Sequence, residues 1–177
     1  MPPRVRGVVR QLALEYGNLL AAEAGMQESA RGVLLTPSGL VLLLRVATQT
    51  GHLWITPGGR IQPGEDGPAA AIREIREETG HQDLSVGAEI WVRHASYFAD
   101  GQWLPERERF FLVPTDEFEP TARGMEPEER ARHGGFRWWA IDEIEQSPEA
   151  FAPRKLAELL RNLQQRGPAS SPVECGE

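Results

Sequence analysis

The chain has 177 residues, 40% apolar and 25% charged, proportions that suit one globular domain and leave little room for a second core. Its net charge of -7 argues against a nucleic-acid surface, which needs a basic patch, but leaves open an anionic small molecule held together with a metal. The single cysteine, Cys175, excludes an internal disulfide and a cysteine-rich zinc site, and fits a reducing cytoplasm.

In chain order, residues 1–28 place Val5, Val8, Val9, Leu12, Tyr16, Leu19 and Leu20 at helical spacing, which predicts an accessory helix. Gln11, Glu15 and Asn18 break the apolar stretch that a signal peptide would need, and no apolar run of about 18 residues predicts a membrane span. From residue 29 the pattern changes. Arg31–Thr36 and Leu40–Arg45 are apolar runs flanking Pro37-Ser38-Gly39, which predicts two strands joined by a turn and covered on both faces.

A loop rich in Thr, Gly and Pro runs through Gly51 and Pro57-Gly58-Gly59 to Pro63-Gly64. A helix is predicted over Pro68–Thr79, with proline in its first turn and Gly80 just past its end. Strands follow around Leu84–His94, Arg107–Val113 and Phe136–Ala140, then a helix from Pro153 to about Leu163 with Leu156, Leu159, Leu160 and Leu163 on one stripe. The Pro/Ser/Gly-rich tail over 167–177 reads as mobile. The expected organisation is an extension over 1–28 and one domain over 29–166. Its class is α/β (α+β), a mixed sheet sandwiched between helices.

On the predicted helix, Glu74, Glu77 and Glu78 stand at i, i+3 and i+4, so their carboxylates share one face, while Ile72, Ile75 and Thr79 fall on the other. Such like charges repel by a few tenths of a kcal/mol per pair. A solvated acidic face with Arg73 and Arg76 as partners is the usual meaning of such a run. Here the run follows a glycine-rich loop whose backbone can approach a ligand, and a hard divalent cation would balance the charge.

The string Gly59 to His81 is similar to the 23-residue signature of the Nudix hydrolases, G-x5-E-x7-R-E-U-x-E-E-x-G-U, where U is a bulky apolar residue. Gly59, Glu65, Arg73, Glu74, Ile75, Glu77, Glu78 and Gly80 occupy their positions, and His81 is the one departure. At background frequencies of about 5–7% each, seven fixed matches arise by chance on the order of once in 10⁸ registers. The resemblance extends to the strand pair before the box and to Phe136–Glu143 after it, covering about residues 29–166.

The resemblance implies a hydrolase that cleaves the pyrophosphate linkage of a nucleoside diphosphate derivative with Mg²⁺ or Mn²⁺, the derivative being a nucleoside triphosphate, a dinucleoside polyphosphate or a nucleotide sugar. It implies metal ligation by Glu74, Glu77 and Glu78, with the Gly58 carbonyl as a further ligand. Arg73 then orients Glu77, while Gly59 and Glu65 support the loop-to-helix junction. The general base is left open between a box glutamate and one of Glu126, Glu128 and Glu129, with Glu128 taken as the representative of that later loop.

Arg45 is a candidate for a phosphate and Trp54 for a stacked base, against a surface ion pair and a core position as their bland alternatives. Tyr97 lies where many dinucleoside polyphosphate hydrolases carry a tyrosine. Trp138 and Trp139 read as structural, and His52, His94 and His133 lack metal-ligand spacing. The competing class is a Nudix ligand-binding module with weak catalysis. An isopentenyl diphosphate isomerase of this fold would need an active-site cysteine, for which Cys175 is poorly placed. The expected partner is a small nucleotide, with no membrane, and a homodimer is left open.

Overall fold

A computed structural model describes residues 26–99 and 101–176, without the side chains of 97–99. The accessory helix expected near the amino terminus falls on residues outside the described ones. Strand β1 (Gln27–Leu35) begins two residues before the expected domain start.

The turn predicted at Pro37-Ser38-Gly39 joins β1 to β2 (Leu40–Thr48). Gly39 takes φ 88°, and Thr36 Oγ1 accepts the Leu40 amide at 2.9 Å. The loop expected after β2 contains two short strands, β3 (Gly51–Ile55) and β4 (Gly58–Arg60). The box helix α1 (Gly67–Thr79) follows, with Asp66 Oδ1 accepting from the Ala69 amide at 2.8 Å and Gly80 ending it at φ 75°. A long hairpin, β5 (Glu89–Ala99) and β6 (Gln102–Pro114), leads through a 3-10 turn (Ala122–Gly124) to helix α2 (Pro127–Arg132), in the segment expected to be a loop. Next come β7 (His133–Ala140), α3 (Ile141–Gln146), β8 (Phe151–Ala152), α4 (Leu156–Arg166) and β9 (Val173–Glu174).

The strands form one mixed sheet in the order β8-β3-β2-β1-β6-β5-β9, with β4 also on β1 and β7 also on β2. β1 and β2 register at Leu35 and Val41 and then part company. β1 continues with antiparallel β4 and parallel β6, and β2 with antiparallel β3 and β7. This divergence opens a cleft between two wings of one sheet.

Both faces are covered, as the apolar runs predicted. On one face Ile75 of α1 packs with Leu34, Leu42 and Val113. On the other, α3 and α4 bring Ile144, Leu156, Leu160 and Leu163 onto Val33, Val41, Leu43, Phe110 and Trp139. Each such large side chain, fully buried, contributes about 1.5–3 kcal/mol, so α1 is held by its apolar stripe while its acidic residues stay available. The helix expected from Pro153 starts at Leu156 because Phe151 and Ala152 pair with β3 as β8.

The tail is a correction. The segment from Gly167, expected to be mobile, returns to the sheet, where Val173 and Glu174 pair in parallel with Trp91 and Val92 of β5. Cys175 is buried beyond them and donates Sγ–H to the Val92 carbonyl at 3.3 Å. Burial pushes its thiol up to about 11, which marks it as packing rather than a nucleophile.

Candidate active site

The three box glutamates do not behave alike. Glu74 and Glu78, four residues apart, lie on one stripe of α1 and are 7% and 8% exposed. Glu77 lies about 100° around the helix from Glu78 and keeps its side chain 46% exposed. Glu78 Oε2 accepts the Gly58 amide at 2.7 Å. Burial raises both inner carboxyls. Glu78 reaches about 8 even though the Gly58 amide and the charge of Arg31 oppose the rise, and Glu74 is raised against the pull of Arg73.

Two glycines make room for these carboxylates. A Cβ on Gly59 would lie 2.6 Å from the Glu74 carboxyl carbon. Gly58, at φ 148°, approaches β1 so closely that a Cβ would lie 2.3 Å from the Ala30 carbonyl oxygen.

Arg73 is the hub of the loop-to-helix junction. It bonds Glu65 Oε1 at 2.9 Å, Glu74 Oε1 at 2.7 Å, Glu77 Oε2 at 3.2 Å and the Arg60 carbonyl at 3.0 Å. The guanidinium fork suits this, since one planar group serves several carboxylate oxygens at once. The bond from Arg73 holds the Glu65 carboxyl below its ordinary value. His81, the departure from the signature, fills the apolar position by stacking on Phe118, with ring centroids 4.1 Å apart and planes 8° apart.

Helix α2 supplies a third inward carboxylate. Oxygens of Glu74, Glu78 and Glu129 all lie within 4.8 Å of one another. Glu128, taken from the sequence as the candidate base, is exposed. One residue along a helix is a rotation of about 100°, and this turns Glu129 inward and Glu128 out. Glu126 sits before the helix, its amide donating to Glu129 Oε2 at 3.2 Å.

Beside this cluster lies a cleft of about 450 Å³ between the two wings. Leu44, Val46, Leu53, Ile55 and Met125 form an apolar shelf, and Arg31, Arg93, Glu106, Glu108, Glu129, Arg132 and His133 supply polar groups. Glu108 is 1% exposed and takes an ion pair from each neighbouring strand, Arg31 on β1 and Arg93 on β5. Burial works to raise its carboxyl, and the two arginines outweigh that and hold it below its ordinary value. Burial holds the His133 ring below its ordinary pKa.

Two substrate candidates face away from the cleft. Leu44 and Val46 line it, so Arg45 between them points through the opposite face, where Nη2 lies 4.0 Å from Glu149. Leu53 and Ile55 line it likewise, so Trp54 turns into the core, packing edge-on to Trp139 with centroids 5.1 Å apart and donating to Glu149 at 3.3 Å. The period of two in a strand corrects both. Tyr97 pairs with Leu104 in the β5–β6 hairpin, and its side chain lies outside the described residues. Trp138 and Trp139 are structural: Trp139 is core, and Trp138 donates to the Phe118 carbonyl at 3.1 Å.

Sequence reasoning passed over Arg31, Arg93 and Glu108. For Arg31 the signal was a charge between Ala30 and Gly32 in an otherwise apolar strand, whereas Glu108 is hidden in the charged run Glu106–Arg109 and Arg93 stands beside His94.

A profile of the NUDIX domain matches residues 26–162. The chain belongs to the NUDIX family. It is 33% identical to the RNA pyrophosphohydrolase of Afipia carboxidovorans over 94 residues, 46% of this chain and 57% of that one. It is 28% identical to the asymmetrical bis(5'-nucleosyl)-tetraphosphatase of Mus musculus over 107 residues, 60% of this chain and 68% of that one. The fold aligns with the crystal structure of a C. elegans Ap4A hydrolase binary complex at TM-score 0.53 and 25% identity, over 79% of this chain and 96% of that one. The matched region spans about half the length of the first curated relatives. Among the described residues no helix is long and apolar enough to cross a membrane.

The Nudix box is therefore the segment that places Glu74 and Glu78 against Glu129. The donor set fits a hard divalent cation: every side-chain ligand atom of the cluster is a carboxylate oxygen, which suits Mg²⁺ or Mn²⁺ and not a soft metal.

Proposed function

We propose that this Nudix protein hydrolyses the pyrophosphate linkage of a nucleoside diphosphate derivative in a metal-dependent reaction. The observation that carries the reading is the convergence of Glu74, Glu78 and Glu129 beside an arginine-lined cleft. Glu74, Glu78 and Glu129 would hold Mg²⁺ or Mn²⁺, with Glu77 on the exposed shoulder beside them. Such a cation supplies charge stabilisation for a diphosphate.

The protein's own groups do the rest. Arg93 and Arg132 face the anionic chain, the shelf from Leu44 to Ile55 takes the less polar moiety, and a carboxylate of this acidic cluster accepts the proton of an attacking water. Arg73 keeps Glu74 and Glu77 in register throughout. Two relatives, named for RNA pyrophosphohydrolysis and for bis(5'-nucleosyl)-tetraphosphate cleavage, support a nucleotide as the substrate.

The test is phosphate release across a panel of nucleoside triphosphates, dinucleoside polyphosphates and nucleotide sugars with Mg²⁺, for the wild type and Glu78→Gln. Turnover should require the metal and fall by a factor of about 10² or more in the variant. Tight binding of a panel member without turnover would favour the ligand-binding module instead.

A further inference from the structure

Arg31 carries a permanent charge into the buried middle of β1, and its contacts run in two directions. Its Nε donates to Glu108 Oε1 at 2.6 Å. Its Nη1 donates to the Thr56 carbonyl at 3.1 Å and approaches the Gly58 carbonyl at 3.4 Å. Those carbonyls belong to the segment leading into the Nudix box. The next link is the Gly58 amide, which donates to Glu78 Oε2. On the far side Glu108 is fixed by Arg93, so the anchor of Arg31 does not swing. Gly58 packs directly on this residue, since a Cβ there would lie 2.5 Å from the Arg31 Cα.

We propose that Arg31 is a positioning residue for Glu78: anchored by Glu108, it fixes the Thr56–Gly58 backbone and thereby aims the amide that orients the Glu78 carboxylate. The consequence for metal affinity rests on the metal-dependent reading above, whereas the aiming of the Gly58 amide does not. The shape of the side chain matters as much as its charge. A guanidinium presents separate edges to Glu108 and to the loop carbonyls, and a lysine ammonium is a single point that satisfies one side at a time.

The test compares the wild type with Arg31→Lys and Arg31→Met, taking Arg45→Met on the opposite face of the sheet as the control arginine. The first readout is hydrogen exchange of the Gly58 amide in metal-free protein. The second is Mn²⁺ affinity by calorimetry. Arg31→Lys should speed exchange at Gly58 about tenfold while the hydrogen-bonded backbone amides of Gly87 and Leu112 keep their rates. It should weaken Mn²⁺ binding by about 10–100-fold, the usual cost of losing a group that orients a ligand. Arg45→Met should change neither.

Wild-type values for both readouts in Arg31→Lys would overturn the proposal. So would acceleration spread evenly over all amides, which marks general destabilisation. If Arg31→Met does not fold, Arg31→Lys and Glu108→Gln decide the matter. A wild-type protein that binds no Mn²⁺ removes the metal reading, and exchange at Gly58 still decides the role of Arg31.

Discussion

Gly59→Ala isolates the geometry of the site from the stability of the fold. The backbone of Gly59 lies outside the left-handed region, so alanine is conformationally acceptable there. The new Cβ would nevertheless sit 2.6 Å from Cδ and Oε1 of Glu74 and 2.8 Å from its Oε2. Ordinary carbon contacts begin at about 3.5 Å, so the carboxyl must retreat by about 1 Å. It is the end of a flexible side chain and can do so without moving α1, but it leaves its place beside Glu78 and strains the 2.7 Å bond from Arg73. A misplacement of about 1 Å at a reacting centre costs on the order of 10² in rate, or about 2.7 kcal/mol of barrier. The expected result is a kcat/KM about 100-fold below wild type in the Mg²⁺-dependent phosphate-release assay, with a melting temperature within a few degrees of wild type. Full turnover by Gly59→Ala would refute the close packing of glycine on Glu74, and outright unfolding would show that the carboxyl has nowhere to go.

Two further outcomes follow from the same geometry. Glu129→Gln should lower kcat/KM by a factor of about 10² or more, whereas Glu128→Gln should stay within about twofold, at similar melting temperatures; equal effects in steady-state assays would mean that α2 is turned differently. In metal-free protein, Glu78 at about 8 and Glu74, raised for the same reason, keep protons in the fold that the unfolded chain has lost. Their stabilisation is full below the unfolded value of about 4.5 and is lost as pH rises through the folded value. His133, lowered by burial, acts in the opposite sense below its unfolded value of about 6.5. The melting temperature should therefore fall between pH 6.5 and 9 without metal and hold steady with saturating Mg²⁺, and a flat metal-free profile in scanning calorimetry contradicts the burial.

The Nudix helix was legible in the sequence because local chemistry defines it: a proline near the start, a glycine after the end, and glutamates at helical spacing. The strands of the core were legible as apolar runs. β3 and β4 were hidden by their brevity, since five and three residues give no readable period and their pairing with β2 and β1 is what makes them strands. Glu129 was within reach but indistinguishable from Glu128, because a six-residue helix fixes its phase through packing and not through pattern. Arg31, Arg93 and Glu108 meet only through the parallel pairing of β1 with β6 and the hairpin of β5, contacts between residues 77 and 15 positions apart. The tail misled for a related reason: its composition suits a loop, while a two-residue strand and one buried cysteine hold it in place.

The buried carboxylates of this chain differ in how they are compensated, and that difference separates scaffold from site. Glu108 is answered by two arginines and its carboxyl is held low, so it is a settled structural anion. Glu65, only half-buried, is answered by Arg73 and is also held low. Glu74 shares that same arginine and is raised all the same, and Glu78 has one backbone amide and a more distant Arg31 and rises to about 8. In the metal-free fold a retained proton answers this shortfall, and under the proposed reading a bound cation would take its place. Glu129 adds a third carboxylate to the pair instead of relieving it. Hydrogen-bonding neighbours cannot supply the missing charge, and an arginine placed there would fill the space a phosphate chain needs. Under the proposed reading a small dication would satisfy both requirements: Glu74, Glu78 and Glu129 would hold it, and it would supply the balancing charge beside the cleft.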